Sequence, residues 1–211
     1  MAIYQQDKII RDVRRIIDRN ANSHTLELIG DVDTLSLDVI IAGNAESGVK
    51  MAETDAPFYL LDGGFNFSDS IFWEDETSGW ILLPEDFMRL IAFQMSDWDN
   101  AVYEAISCDD PNYIIQRSKI KGVRGTPERP VCAIGFRPEG RVLEFYSTKD
   151  NTAYAMRANY LPYPKFDRDK GLYICERCYT SALYNIAGLT LTTIGDENAK
   201  LFFELSKTQL I

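Results

Sequence analysis

Pro84 divides the stretch that most constrains this chain, residues 79–100. Two apolar runs there are separated by Pro84-Glu85-Asp86. Proline has no amide hydrogen to give a ladder, and its ring pushes Leu83 toward extended geometry. Residues 80–83 therefore read as a strand that stops at Pro84. Beyond the acidic turn, Ile91, Phe93 and Met95 alternate with Ala92, Gln94 and Ser96. A period of two marks a strand with one buried face. A helix over 85–98 competes, because Phe87, Leu90, Ile91 and Met95 also share one helical face; the strand is the preferred reading.

Helical patterns flank this middle. Over 7–20, Ile9, Val13, Ile16 and Ile17 form one apolar stripe. Asp31-Val32-Asp33-Thr34 offers capping side chains to a second helix over 36–54, whose stripe is Leu37, Ile41, Ala45, Val49 and Ala52. Gly43 and Gly48 weaken it by about 1 kcal/mol each relative to alanine. Strand patterns occupy 58–61, 71–73, 131–136, 142–146 and 153–161. Arg137-Pro138-Glu139-Gly140 makes a hairpin turn. Asp109-Asp110-Pro111 opens a short helix with proline at its first position. A long helix over 173–194 carries Cys175, Tyr179, Ala182, Ile186 and Leu189 along one side and ends at Gly195. Asp196 caps a last helix with Ala199, Phe202, Phe203 and Ser206 on one face.

These elements predict an α+β fold, with N- and C-terminal helices forming a helical bundle around a central β-rich domain. The expected divisions are an N-terminal helical pair at 1–57, the β-rich middle at 58–170, and a C-terminal pair at 171–211 packing on the first. Ile9, Val13, Ile17, Ile41, Val49, Ile186, Leu189 and Phe202 are the expected helical core. No run of 18 apolar residues is present in the 211, so nothing is expected to span a membrane. The first residues lack the apolar core of an export signal. Four cysteines without framework spacing suit a reducing compartment.

Charge is uneven. The net value is −10, which argues against general nucleic-acid binding, an affinity built on phosphate neutralisation. Residues 53–110 hold fourteen Asp and Glu against one basic residue, Arg89, whereas 111–170 hold twelve Lys and Arg against six acids. Two solvated faces would explain this; so would two surfaces that meet in neighbouring subunits.

Candidate chemistry is sparse. Cys175-Glu176-Arg177-Cys178 is the sole CxxC and would suit a redox couple at a helix start, yet buried small residues are the commoner use of that spacing. Zinc needs about four ligands, and His24 is the one histidine. Glu85 and Asp86, with Asp97 or Asp99, could form a hydrolase pair or simply satisfy turn donors. Asp62-Gly63-Gly64 lacks the lysine and following helix of a phosphate loop. Trp73, Trp80 and Trp98 could stack on a sugar, or serve as core or interface anchors. No catalytic, cofactor-binding or metal-binding residues are therefore assigned.

A resemblance rests on these stretches: Asp33-Thr34-Leu35-Ser36-Leu37; Ala56-Pro57-Phe58-Tyr59-Leu60-Leu61-Asp62-Gly63-Gly64; Gly79-Trp80-Ile81-Leu82-Leu83-Pro84-Glu85-Asp86-Phe87-Met88-Arg89-Leu90; Gln94-Met95-Ser96-Asp97-Trp98; Leu143-Glu144-Phe145-Tyr146-Ser147; and Ala187-Gly188-Leu189-Thr190. Together they resemble the head-to-tail connector (ring or adaptor) proteins of crAss-like bacteriophages. More distantly, they are similar to the tail tubular protein A type of adaptor in short-tailed phages. The resemblance implies a structural virion protein at the portal–tail junction, made in the host cytoplasm, in a ring of about twelve copies. It implies no enzymatic activity, no cofactor and no membrane. Portal protein, further tail or ring proteins and other copies of the chain would be its partners, and DNA would pass through the lumen without sequence-specific binding.

A cyclic ring needs two different faces on each subunit. Trp73 and Trp98 are the expected apolar anchors, and Arg117, Lys119, Lys121 and Arg124 the expected basic contacts to an acidic neighbour. A thiol redox protein using Cys175 and Cys178, or a carbohydrate-binding tail module, are the alternative readings.

Overall fold

The computed structural model describes residues 2–20, 36–68, 70–118, 120, 123–167 and 170–211, with backbone alone at 18–20. His24 and the expected caps at 31–34 lie outside the described residues, as do Lys119 and Lys121. The chain opens with β1 (Ala2–Tyr4), α1 (Gln6–Asn20) and α2 (Leu37–Asp55). The middle holds β2 (Phe65–Asn66), β3 (Ile71–Trp73), β4 (Gly79–Leu82), β5 (Phe87–Met95), β6 (Ile106–Ser107), α3 (Pro111–Gln116), β7 (Cys132–Arg137), β8 (Gly140–Phe145) and β9 (Ala155–Pro162). β10 (Leu172–Ile174), α4 (Tyr179–Ile194) and α5 (Ala199–Thr208) follow. The fold is mixed α+β, with helices flanking a β-rich middle. Among the described residues no helix is long and apolar enough to cross a membrane.

Two compact units divide the chain. One joins Met1–Asp62 to Pro164–Ile211; the other is Gly63–Tyr163. In the first, α1, α2, α4 and α5 share a core of Ile9, Val13, Ile17, Ile41, Val49, Ile186 and Phe202. Leu189, expected there, is only half-buried. The α2 cap is Ser36, whose side chain accepts from the Val39 amide. Gly48 allows α2 and α4 to approach: a Cβ there would sit 2.4 Å from Ile186 Cγ1. Across α4 and α5, the buried Ser181 and Ser206 hydroxyls are 2.8 Å apart.

The long helix expected over 173–194 is shorter. Leu172–Ile174 is a strand, because it pairs antiparallel with β1. A 3-10 turn at Glu176–Cys178 then leads into α4. Gly195 ends α4 in the left-handed region at φ 77°, where glycine carries no Cβ penalty. Residues 58–61, expected as a strand, include a 3-10 turn at Phe58–Leu60. Asp196 lies two residues before the N-cap of α5, Asn198, and its Oδ1 accepts from the Asn198 amide at 2.8 Å.

The second unit carries a five-stranded sheet in the order β3-β4-β8-β7-β6 and a three-stranded sheet in the order β2-β9-β5. β6 and β7 run parallel; the other neighbours are antiparallel. Residues 87–95 are strand and not helix. Pro84 decides this locally, and pairing with β9 completes it. Register shifts within β5 break strict alternation, so Leu90, Ile91, Ala92 and Phe93 are all buried. The expected hairpin forms β7 and β8, with Arg137 opposite Gly140. Ile81, Cys132, Leu143 and Phe145 from one sheet and Phe87, Phe93, Ala158 and Tyr160 from the other share one core.

Candidate functional site

α3 reverses the usual polarity of a surface helix. Asp110 caps it by accepting from the Asn112 amide at 2.8 Å, and Pro111 sits in its first turn. Tyr113 and Gln116 point inward, while Asn112 is exposed. The Tyr113 hydroxyl donates to Glu144 Oε2 at 2.8 Å. Gln116 is buried, and its Oε1 accepts from the Gly125 amide at 2.8 Å. Outward stand Ile114, 77% exposed, and Ile115, 42% exposed; Ile120 and Val123 beyond the helix are exposed as well. A solvated helix normally buries its apolar stripe and wets its polar one. Four exposed branched side chains thus fall within ten residues of sequence.

What holds α3 in this pose is a buried charge network on β8. Glu144 is buried and accepts from the Tyr113 and Tyr146 hydroxyls and from Arg137 Nη2 at 2.8 Å. Arg137 also pairs with Glu74 and lies over the Trp80 ring at 5.2 Å. Burial alone would raise the Glu144 carboxyl; the two tyrosine hydroxyls and the guanidinium outweigh it and hold the group below its ordinary range. The same contact, after burial, pushes the Tyr146 phenol up. A buried ion pair is weak evidence for stability, but removing one partner is expensive. The network's effect is thus to specify one seat for α3 on the sheet.

The expected contact residues divide. Arg117 is exposed, with its guanidinium 5.6 Å from the Tyr113 ring centroid. Arg124 is half-buried and donates to the Thr77 hydroxyl, so it fastens the segment to the turn before β4. Trp98 is a core side chain, not a surface anchor: it is 4% exposed, packs on Phe93 and Phe145, and donates from Nε1 to the Ser147 carbonyl at 3.1 Å. Trp73 is half-buried against Phe145.

The alternative sites are engaged structurally. Cys175 and Cys178 are both buried. A bond from Cys178, then burial, then the nearby Glu53 carboxylate push the Cys175 thiol far up, the opposite of an activated thiol. Cys178 sulfur lies 3.9 Å from the Leu60 carbonyl. Glu53 itself is buried and accepts from the Cys175 amide at 2.8 Å. Asp86 accepts from the Tyr160 hydroxyl at 2.9 Å, and Asp97 from the Lys149 amide. Trp80 is buried, stacked on Phe72 at 4.2 Å and overlaid by Arg137. Among the described residues no cluster of three or more His, Cys, Asp or Glu could hold a metal. Sequence reasoning missed Glu144. Its one signal was a charged residue inside the apolar run Val142-Leu143-Glu144-Phe145, on a predicted hairpin that also carries Arg137.

No family model matches this chain, and no curated protein matches it.

Proposed function

We propose that this chain is a structural virion protein, a head-to-tail connector that forms a ring beneath the portal, joins it to the tail and lines the DNA channel. The motifs that resemble crAss-like phage connectors supply the family of the idea. The structural observation that supports it most is the α3 surface: exposed isoleucines beside Arg117, held in place by a buried network. Such a surface suits a protein whose work is assembly. The terminal helices, in this reading, form the bundle around the β-rich middle. The acidic stretch 53–110 suits a channel wall on which DNA slides without sticking, since like charge disfavours binding.

The reading assigns the chain no reaction and no cofactor. Its partners are copies of itself, about twelve to a ring, the portal above and the next tail protein below. Gold-labelled antibody to the chain, applied to tailed particles from the source phage, tests it by electron microscopy. Label at the portal–tail junction is expected. Label at the tail fibres would favour the carbohydrate-binding module, and absence from particles would overturn the connector.

A further inference from the structure

The second unit carries a groove of about 500 Å³ lined by Phe67, Phe72, Ile81, Leu82, Pro84 and Tyr160. It opens at β3, an edge strand of the five-stranded sheet. Phe72 and Leu82 are 47% and 44% exposed there. Its rim is acidic: Asp86 is bonded to the lining Tyr160, and Glu85, next to the lining Pro84, is exposed. Among the described residues no lysine or arginine lines it.

From these observations we infer that the α3 segment of one copy seats in the β3-edge groove of a second copy. The inference rests on the connector reading and names the contact between subunits. Three features fit the two surfaces to each other. Both are apolar and exposed, the isoleucines on one side and Phe72 with Leu82 on the other. Arg117, beside the isoleucines, is opposite in charge to the rim at Glu85 and Asp86, while Asp109 and Asp110 lie at the far end of the helix. And they are different surfaces of one unit, α3 seated over Glu144 of β8 and the groove at Phe72 of β3 and Leu82 of β4. Two unlike surfaces make a head-to-tail contact, which closes into a ring when the rotation between copies permits. A second copy is the occupant because the complementary groove is on the chain itself.

Complementation tests this. The loop variant carries Ile114→Asp and Arg117→Glu and keeps its groove. The groove variant carries Leu82→Asp and keeps its loop. All three substituted side chains except Leu82 lie outside the sheet, and circular dichroism with a thermal melt checks each fold. A contact this small falls in the weak class, so wild type and variants are examined by sedimentation velocity at roughly hundreds of micromolar. Wild type should self-associate, and each variant alone should be monomeric. An equal mixture should form dimers and stop there, since one intact loop meets one intact groove while the other pairing sets Asp against Asp. A mixture that stays monomeric overturns the inference. So does a variant that assembles like wild type, and in that case the connector reading stands on its own localisation test. A monomeric wild type whose loop variant loses binding to a DNA duplex also overturns it, in favour of nucleic acid as the occupant.

Discussion

Gly43 and Gly48 lie on one helix and should answer the same substitution in opposite directions. Nothing lies within 4 Å of a Cβ built on Gly43. Alanine there removes glycine's helix penalty and should raise unfolding free energy by roughly 0.5–1 kcal/mol. At Gly48 the added carbon meets the Ile186 side chain and, at 2.9 Å, its backbone nitrogen. Overpacking should cost about 1–3 kcal/mol. Urea midpoints of the two variants decide the matter; equal shifts would show that α2 and α4 do not approach at Gly48. Glu53 gives a pH signature in the same unit. Burial, partly opposed by the Cys175 amide, raises its carboxyl. A raised carboxyl contributes stability that is present below its unfolded pKa and lost as pH rises through the folded one. Glu53→Gln keeps an oxygen acceptor for the Cys175 amide and removes the ionisation. The stability of Glu53→Gln relative to wild type should therefore grow between about pH 4 and about pH 7. A constant difference across that range would show that Glu53 is not penalised when charged.

At the scale of elements, α3 depends on a partner thirty residues downstream, and its seat can be loosened alone. Tyr113→Phe removes one of the two hydroxyl bonds to Glu144 Oε2, a loss of about 1.5–3 kcal/mol for a bond to a charged group. Amide exchange should quicken over 111–117 while β5 and β9 keep their protection. Uniform quickening would mean that the network supports the whole unit. Glu144, held low, contributes stability present above its unfolded pKa and lost as pH falls through the folded one, so acid should release α3 in the same way. The elements legible from sequence were those with local causes. Pro111 after two aspartates started α3, Pro138-Glu139-Gly140 turned β7 into β8, and Pro84 kept residues 87–95 extended. β10 was not legible, because its partner is β1, at the other end of the sequence, and a helical spacing of apolar residues overlaps it. Trp98 was misplaced for a related reason: a tryptophan in an acidic turn looks exposed until Phe145, on another sheet, covers it. The Tyr113 side of α3 could not be known as its inner side without Glu144.

On the scale of the whole molecule, the uneven charge becomes an assembly prediction. Within one chain the two stretches already pair at Arg137–Glu74; between copies the charges left exposed would attract. Arg124 is excluded from the test, since its bond to Thr77 fastens its own segment. Replacing Arg117, Lys119 and Lys121 by Glu should leave the thermal melt near that of wild type. Assembly at low salt should weaken, and Glu85→Lys with Asp86→Lys should restore part of it. Exposed pairs contribute up to about 1 kcal/mol each, so the deficit should amount to one or two orders of magnitude in association and fall mainly on its rate. Near 1 M salt, where screening reaches about 3 Å, wild type and the basic-stretch variant should converge on whatever association the isoleucine contact alone sustains. Light scattering across a salt series reads both limits. Undiminished assembly of the variant at low salt would remove charge matching and leave the apolar contact to stand without it. Convergence at high salt on no association at all would mean that charge alone holds the copies together and that Ile114 contributes nothing to the contact.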